Sequence, residues 1–124
     1  RFEAVVVGGM RRHRETADGV IEAFAAQGLP LPAPIADPGF AEFDHEAVFS
    51  TWLRQNAEHP VAIASRSGLP RDVGAMLQAA LLAWANDELP DLPESWAAFG
   101  ARVHAAGERL EALGGGGEVL VLSS

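Results

Sequence analysis

The chain has 124 residues, 48% of them hydrophobic, which is enough for one compact domain with a packed core. It has no Cys, which excludes disulfides and thiolate metal sites, and no apolar run long enough to span a membrane. A formal net charge of −8 argues against a broad nucleic-acid or anionic-membrane surface; with no leader pattern at the start, the expected location is the cytoplasm.

Phe2 to Val7 is a continuous apolar run broken only by Glu3, and it predicts a buried strand ending at Gly8-Gly9. Helical spacing follows, with Met10, His13, Ala17, Val20, Ile21 and Phe24 on one stripe and Gly28 as the stop. Residues 29–44 read as irregular, with four prolines and room for a short strand around Ala33 to Ala36. Asp44 is a natural N-cap for a helix from about His45 to Asn56 that buries Val48, Phe49, Trp52 and Leu53. His59 to Leu69 reads as a loop. Pro70 then opens a helix with Val73, Met76, Leu77, Ala80, Leu81 and Trp84 on one face. Asp91 and Glu94 have the spacing of a capping box for a further helix, with Trp96, Phe99, Val103, Gly107, Leu110 and Leu113 facing inward. Gly114 to Gly117 ends it, and Glu118 to Leu122 is a second apolar run of the doubly buried strand type.

Two such strands with helical segments between them favour helices packed around a largely parallel sheet. The expected architecture is therefore α/β, in a single domain over residues 1–124. Beginning and stopping on strand-like runs suggests a piece of a larger fold.

The chemically unusual segment is Met10-Arg11-Arg12-His13-Arg14-Glu15-Thr16. All nine basic residues of the chain are Arg, and three of them fall here, in the first turn of a helix. The helix dipole already makes that end positive, so Arg has the wrong sign for stability. The free N–H groups there attract anions, and a guanidinium fork matches phosphate oxygens. The turn also follows a parallel-type strand, where α/β folds bind ligands. The plainer reading is a solvated basic patch paired with nearby acids.

The stretch Val5-Val6-Val7-Gly8-Gly9-Met10-Arg11-Arg12-His13-Arg14-Glu15-Thr16-Ala17 resembles the second conserved block of the histidine phosphatase superfamily. That block is a strand, a Ser-x-Leu-x-Arg turn and a helix with Glu-Thr-Ala or Gln-Thr-Ala. Three further segments follow in the family's order. Phe40-Ala41-Glu42-Phe43-Asp44 resembles its short acidic segment, Glu94-Ser95 with Phe99, Arg102 and Val103 resembles its Glu-Ser-x-x-x-Phe-x-x-Arg-Val helix, and Glu118 to Ser124 resembles the strand leading to Ser-His-Gly-Gly.

The resemblance implies a three-layer sandwich with a mostly parallel sheet, as in phosphoglycerate mutases, of which this chain is an incomplete portion. It implies phosphoryl transfer on a small phosphate monoester, by phosphatase or mutase action through a phosphohistidine, without a metal or other cofactor. Arg12 is then the phosphate clamp and Glu42 the proton donor. Read without a gap, the family's second His falls on Ser124, which could hydrogen-bond a phosphate but cannot carry an imidazolium charge.

Two departures matter. Gly8 stands where the family often has Ser. None of His13, His45, His59 and His104 is followed by Gly, so the Arg-His-Gly nucleophile is not in this sequence and would lie before Arg1. The alternative is a non-catalytic α/β module that binds an anionic ligand or partner. Other candidates have bland explanations: Asp44-His45-Glu46 reads as capping rather than metal binding, His13 as a core-edge residue, and the glycine run as a connection.

Overall fold

The computed structural model describes residues 1–123, and the chain divides into two compact units. One comprises residues 1–42 with 101 onward; the other comprises residues 43–100.

The first unit holds a parallel sheet. Strand β1 (Phe2–Val7) lies between β2 (Pro34–Ala36) and β3 (Glu118–Leu122), in the order β2-β1-β3. Val6 faces Ile35 on one side and Val121 on the other, both in parallel register. Ala4 to Val7 are almost fully buried, as the sequence predicts for a strand covered on both faces. The run in β3 carries the same expectation, but its residues are exposed or half-buried. Among the described residues it pairs with β1 alone, so the apolar pattern gives the strand correctly and overstates its burial. Helix α1 (Arg11–Ala26) follows β1 and buries Ala17 and His13. The α/β class is thus seen as mixed helix with a small parallel sheet.

The second unit is helical. It contains α2 (His45–Gln55), α3 (Pro60–Ser65) and α4 (Pro70–Ala85), and the unit boundary falls within α5 (Trp96–Gly114). Val48, Trp52, Ala62, Met76, Ala80, Ala83, Trp84 and Leu89 form its core. Trp84 stacks on Phe43 at 4.9 Å between ring centroids and donates its indole N–H to the Glu94 carbonyl at 3.1 Å, so burying this polar ring leaves no unpaired donor.

Three expectations are corrected here. Residues 60–65 form a helical turn and a half rather than a loop; Pro60 supplies a preset first position, and the His59 Nδ1 accepts from the Val61 N–H at 3.1 Å as a cap. The cap of α5 is Ser95, whose Oγ accepts from the Ala98 N–H at 3.1 Å. Asp91 instead turns the chain at φ 59°, four residues too early to cap. The predicted inward stripe of α5 is partly exposed at Trp96, Val103 and Leu113, because the residue that packs most tightly is Ala106.

Candidate functional site

The C-terminal ends of the three strands converge. Gly8 donates to the Leu122 carbonyl at 3.0 Å, and Asp37 donates to the Val7 carbonyl at 2.8 Å. Gly9, at φ 90°, turns the chain from β1 into α1 in a backbone region that side chains disfavour. Gly8 is required for a different reason: a Cβ there would lie 2.4 Å from His13 Nδ1 and 3.0 Å from Ser123 Oγ. His13 is buried and its Nδ1 accepts a long, 3.4 Å bond from the Met10 N–H at the mouth of α1. It is buried on the α1 stripe, as expected, and it also braces the turn.

The first turn of α1 has no acidic residue, so the carboxylates that pair with its arginines come from beyond that turn. Their side chains separate. Arg11 pairs with Glu15 one turn on, at 2.8 Å and largely in solvent. Arg14 folds back to donate to the Gly9 carbonyl at 2.8 Å, tying the turn. Arg12 reaches Glu42, thirty residues away in sequence, with Nη2 3.0 Å from Oε2. Both side chains are partly exposed, at 50% and 38%, so the pair is open to an incoming ligand. Thr16 Oγ1 donates to the Arg12 carbonyl at 2.9 Å.

Glu42 sits at the end of a loop held from several sides. Asp37 accepts from the Gly39 N–H at 2.9 Å and begins a 3-10 turn over Pro38–Phe40. Arg109 of α5 grips Asp37 through two N–H bonds at 3.0 and 2.8 Å. Those bonds hold the Asp37 carboxyl below its ordinary range, reinforced by the Gly39 N–H, while partial burial opposes them; the same contact raises Arg109. About two turns earlier on the helix, Arg102 Nη1 lies 3.0, 3.1 and 2.9 Å from the carbonyls of Pro38, Gly39 and Ala41. Ser123 Oγ donates to the Phe40 carbonyl.

No family model, curated protein or solved structure matches the chain. The site therefore rests on its own geometry.

Arg12 and Glu42 are brought together, as the resemblance leads one to expect. Ser124 lies outside the described residues. Asp44 caps α2, its Oδ1 accepting from the Ala47 N–H at 3.0 Å. His104 pairs with Glu108 on the exposed surface. Among the described residues, no group of three or more His, Asp or Glu is placed to hold a metal ion, and no helix is long and apolar enough to cross a membrane. Sequence reasoning missed Asp37 and Arg109, and it named Arg102 only as part of a motif. Their partners lie more than sixty residues away, and the Arg102 acceptors are main-chain carbonyls, which leave no side-chain pattern to read.

Proposed function

We propose that this chain supplies the phosphate-binding part of a phosphoryl-transfer enzyme resembling the histidine phosphatases, acting on a small phosphate monoester as a phosphatase or mutase. The observation that carries the reading is the Arg12–Glu42 pair at the strand ends. A guanidinium at the positive end of a helix binds phosphate oxygens, and a carboxyl beside it is within reach of the leaving oxygen. We extend the reading to the three-layer sandwich architecture, which the resemblance implies, and to a cytoplasmic location, which the composition suggests.

In the proposed reaction a histidine nitrogen attacks phosphorus and the P–O bond to the leaving group breaks. The bonding pair goes to the leaving oxygen, which takes its proton from Glu42. Water then attacks phosphorus, giving its proton back to Glu42, while the P–N bond breaks with its pair returning to the histidine nitrogen and phosphate leaves. Arg12 neutralises the equatorial oxygens throughout. The nucleophile belongs to an Arg-His-Gly segment that is not in this sequence, and His13 is no substitute, being buried and engaged with the Met10 N–H. The second reading is a module that binds anions without catalysis.

The test is phosphate or vanadate binding by Arg12→Ala, Arg11→Ala and Arg14→Ala. A charge-assisted fork contributes about 1.5–3 kcal/mol, so Arg12→Ala should lose roughly ten- to a hundredfold in affinity. Arg11, exposed and paired along its own helix, should matter far less. Equal small losses for all three would reduce the cluster to a diffuse basic patch.

A further inference from the structure

We infer that Arg102 is a positioning residue for Glu42: by gathering the carbonyls of Pro38, Gly39 and Ala41 it sets the loop so that the Glu42 carboxylate stands against Arg12. The inference builds on the proposed phosphate site and assigns to helix α5 the control of its acidic partner.

The loop from Asp37 to Glu42 has little regular structure of its own. Its internal bonds are those of a single 3-10 turn, Phe40 N–H to Asp37 O at 3.1 Å and Ala41 N–H to Pro38 O at 3.0 Å, with the Asp37 carboxylate accepting from the Gly39 N–H at 2.9 Å. A segment of this kind does not fix a side chain by itself. One face of α5 does so. Arg102, Ala106 and Arg109 recur at helical spacing and all meet this loop. Arg109 holds its start through Asp37, and Ala106, fully buried, packs where Gly39 leaves no room for a Cβ, which would come 2.6 Å from the Ala106 methyl. Arg102 holds its end, and the last of its three carbonyl partners, Ala41, is the residue before Glu42. A guanidinium suits this task because its charge is delocalised and it keeps its charge at any ordinary pH.

The consequence has a diagnostic sign. A carboxylate held at Arg12 occupies a donor that phosphate needs and repels the incoming anion. Releasing the loop should therefore tighten phosphate binding at pH 8, whereas general damage to the site would weaken it. Two like charges about 4 Å apart in a watery setting correspond to roughly a fivefold change in affinity.

The experiment uses the 124-residue chain labelled with carbon-13 and nitrogen-15. The Glu42 carboxyl carbon signal reports its pairing with Arg12 whether or not phosphate binds. In Arg102→Ala this signal should shift toward its position in Arg12→Ala. Exchange of the Phe40 and Ala41 amides should accelerate while β1 stays protected, and inorganic phosphate should bind about fivefold tighter, as in Glu42→Gln. Arg102→Lys should restore part of each effect. Gly39→Ala, which presses the loop off α5 with Arg102 intact, should reproduce them and covers the case in which Arg102→Ala does not fold. A Glu42 signal unmoved in both Arg102→Ala and Gly39→Ala, or protection lost across the whole sheet in Arg102→Lys, would overturn the inference. So would weaker phosphate binding in a folded variant. If neither wild type nor Glu42→Gln binds phosphate, the phosphate reading falls, and the Glu42 signal still decides the clamp.

Discussion

Substituting Gly8 by Ser would place a side chain in space that His13 already fills. The added Cβ would stand 2.4 Å from His13 Nδ1 and 2.7 Å from its Cε1, with Ser123 Oγ at 3.0 Å on another side. The ring is buried, so it cannot swing aside without leaving its packed position and breaking the bond from the Met10 N–H. Overpacking of this kind costs about 1–3 kcal/mol, and a lost hydrogen bond adds about 0.5–1.5 kcal/mol. We expect Gly8→Ser to lose about 2–3 kcal/mol in urea denaturation, equivalent to a fall of roughly 8–12 °C in Tm. His13→Ala in the same chain should recover much of the loss, because it empties the contested space. The double-mutant cycle should show a coupling of at least about 1 kcal/mol. Costs that add to within about 0.5 kcal/mol, or a Gly8→Ser chain as stable as wild type, would refute the account of Gly8 as a steric requirement.

Other expectations follow from contacts already described. Asp37 has its carboxyl held low by Arg109, so this ion pair adds stability above the ordinary Asp range, and that stability is lost as pH falls through the depressed value. Arg109→Ala should therefore flatten the acid limb of a stability–pH profile below about pH 4; an unchanged limb would remove the pair from the acid response. Ser95→Ala should cost about 1 kcal/mol as the loss of a true cap, while Asp91→Gly should be neutral or stabilising because its φ is positive; the reverse ranking in denaturation would restore Asp91 as the cap. Trp84→Ala should cost about 3–5 kcal/mol and abolish near-UV signals from the stacked aromatic cluster, whereas a loss under about 1 kcal/mol would contradict its burial. The 124-residue chain should bind phosphate without hydrolysing an aryl phosphate; turnover that vanishes in Arg12→Ala would show a nucleophile other than the one proposed.

Periodicity made the larger elements legible. The run Phe2 to Val7, the stripe beginning at His13 and the stripe from Val73 to Trp84 each repeat a single signal over enough residues to outweigh local exceptions. Short and tertiary features were not legible. Helix α3 has six residues, less than two turns, and its cap is a histidine, a residue type that gives little warning. Asp91 to Glu94 carries the letters of a capping box, while Ser95 lies where the backbone actually enters the helix. At the site, the wrong charge for a helix start marks the three arginines as a group, while Arg12 among them and Glu42 stand out by the resemblance. That Glu42 meets Arg12, and that α5 holds its loop, depends on contacts across thirty to more than sixty residues, which no local pattern encodes.

The two rings Phe43 and Phe99 lie 5.8 Å apart, edge to face, at opposite ends of the sequence that forms the helical unit. Folding of that unit therefore draws its entry and exit points together. In the other unit, β1 is made near the start of the chain and its partner β3 near the end, with Phe2 facing Glu118. Pairing them in an extended chain would require closing a loop of more than a hundred residues, the kind of non-local contact that slows folding. Once the intervening helices have condensed, the effective loop is far shorter. The helical segment is also continuous and leaves the ribosome before β3 does, so the order of synthesis matches the order that keeps the entropy of closure low. A contact between two rings of the helical unit thus shortens the loop that pairing of β1 with β3 has to close.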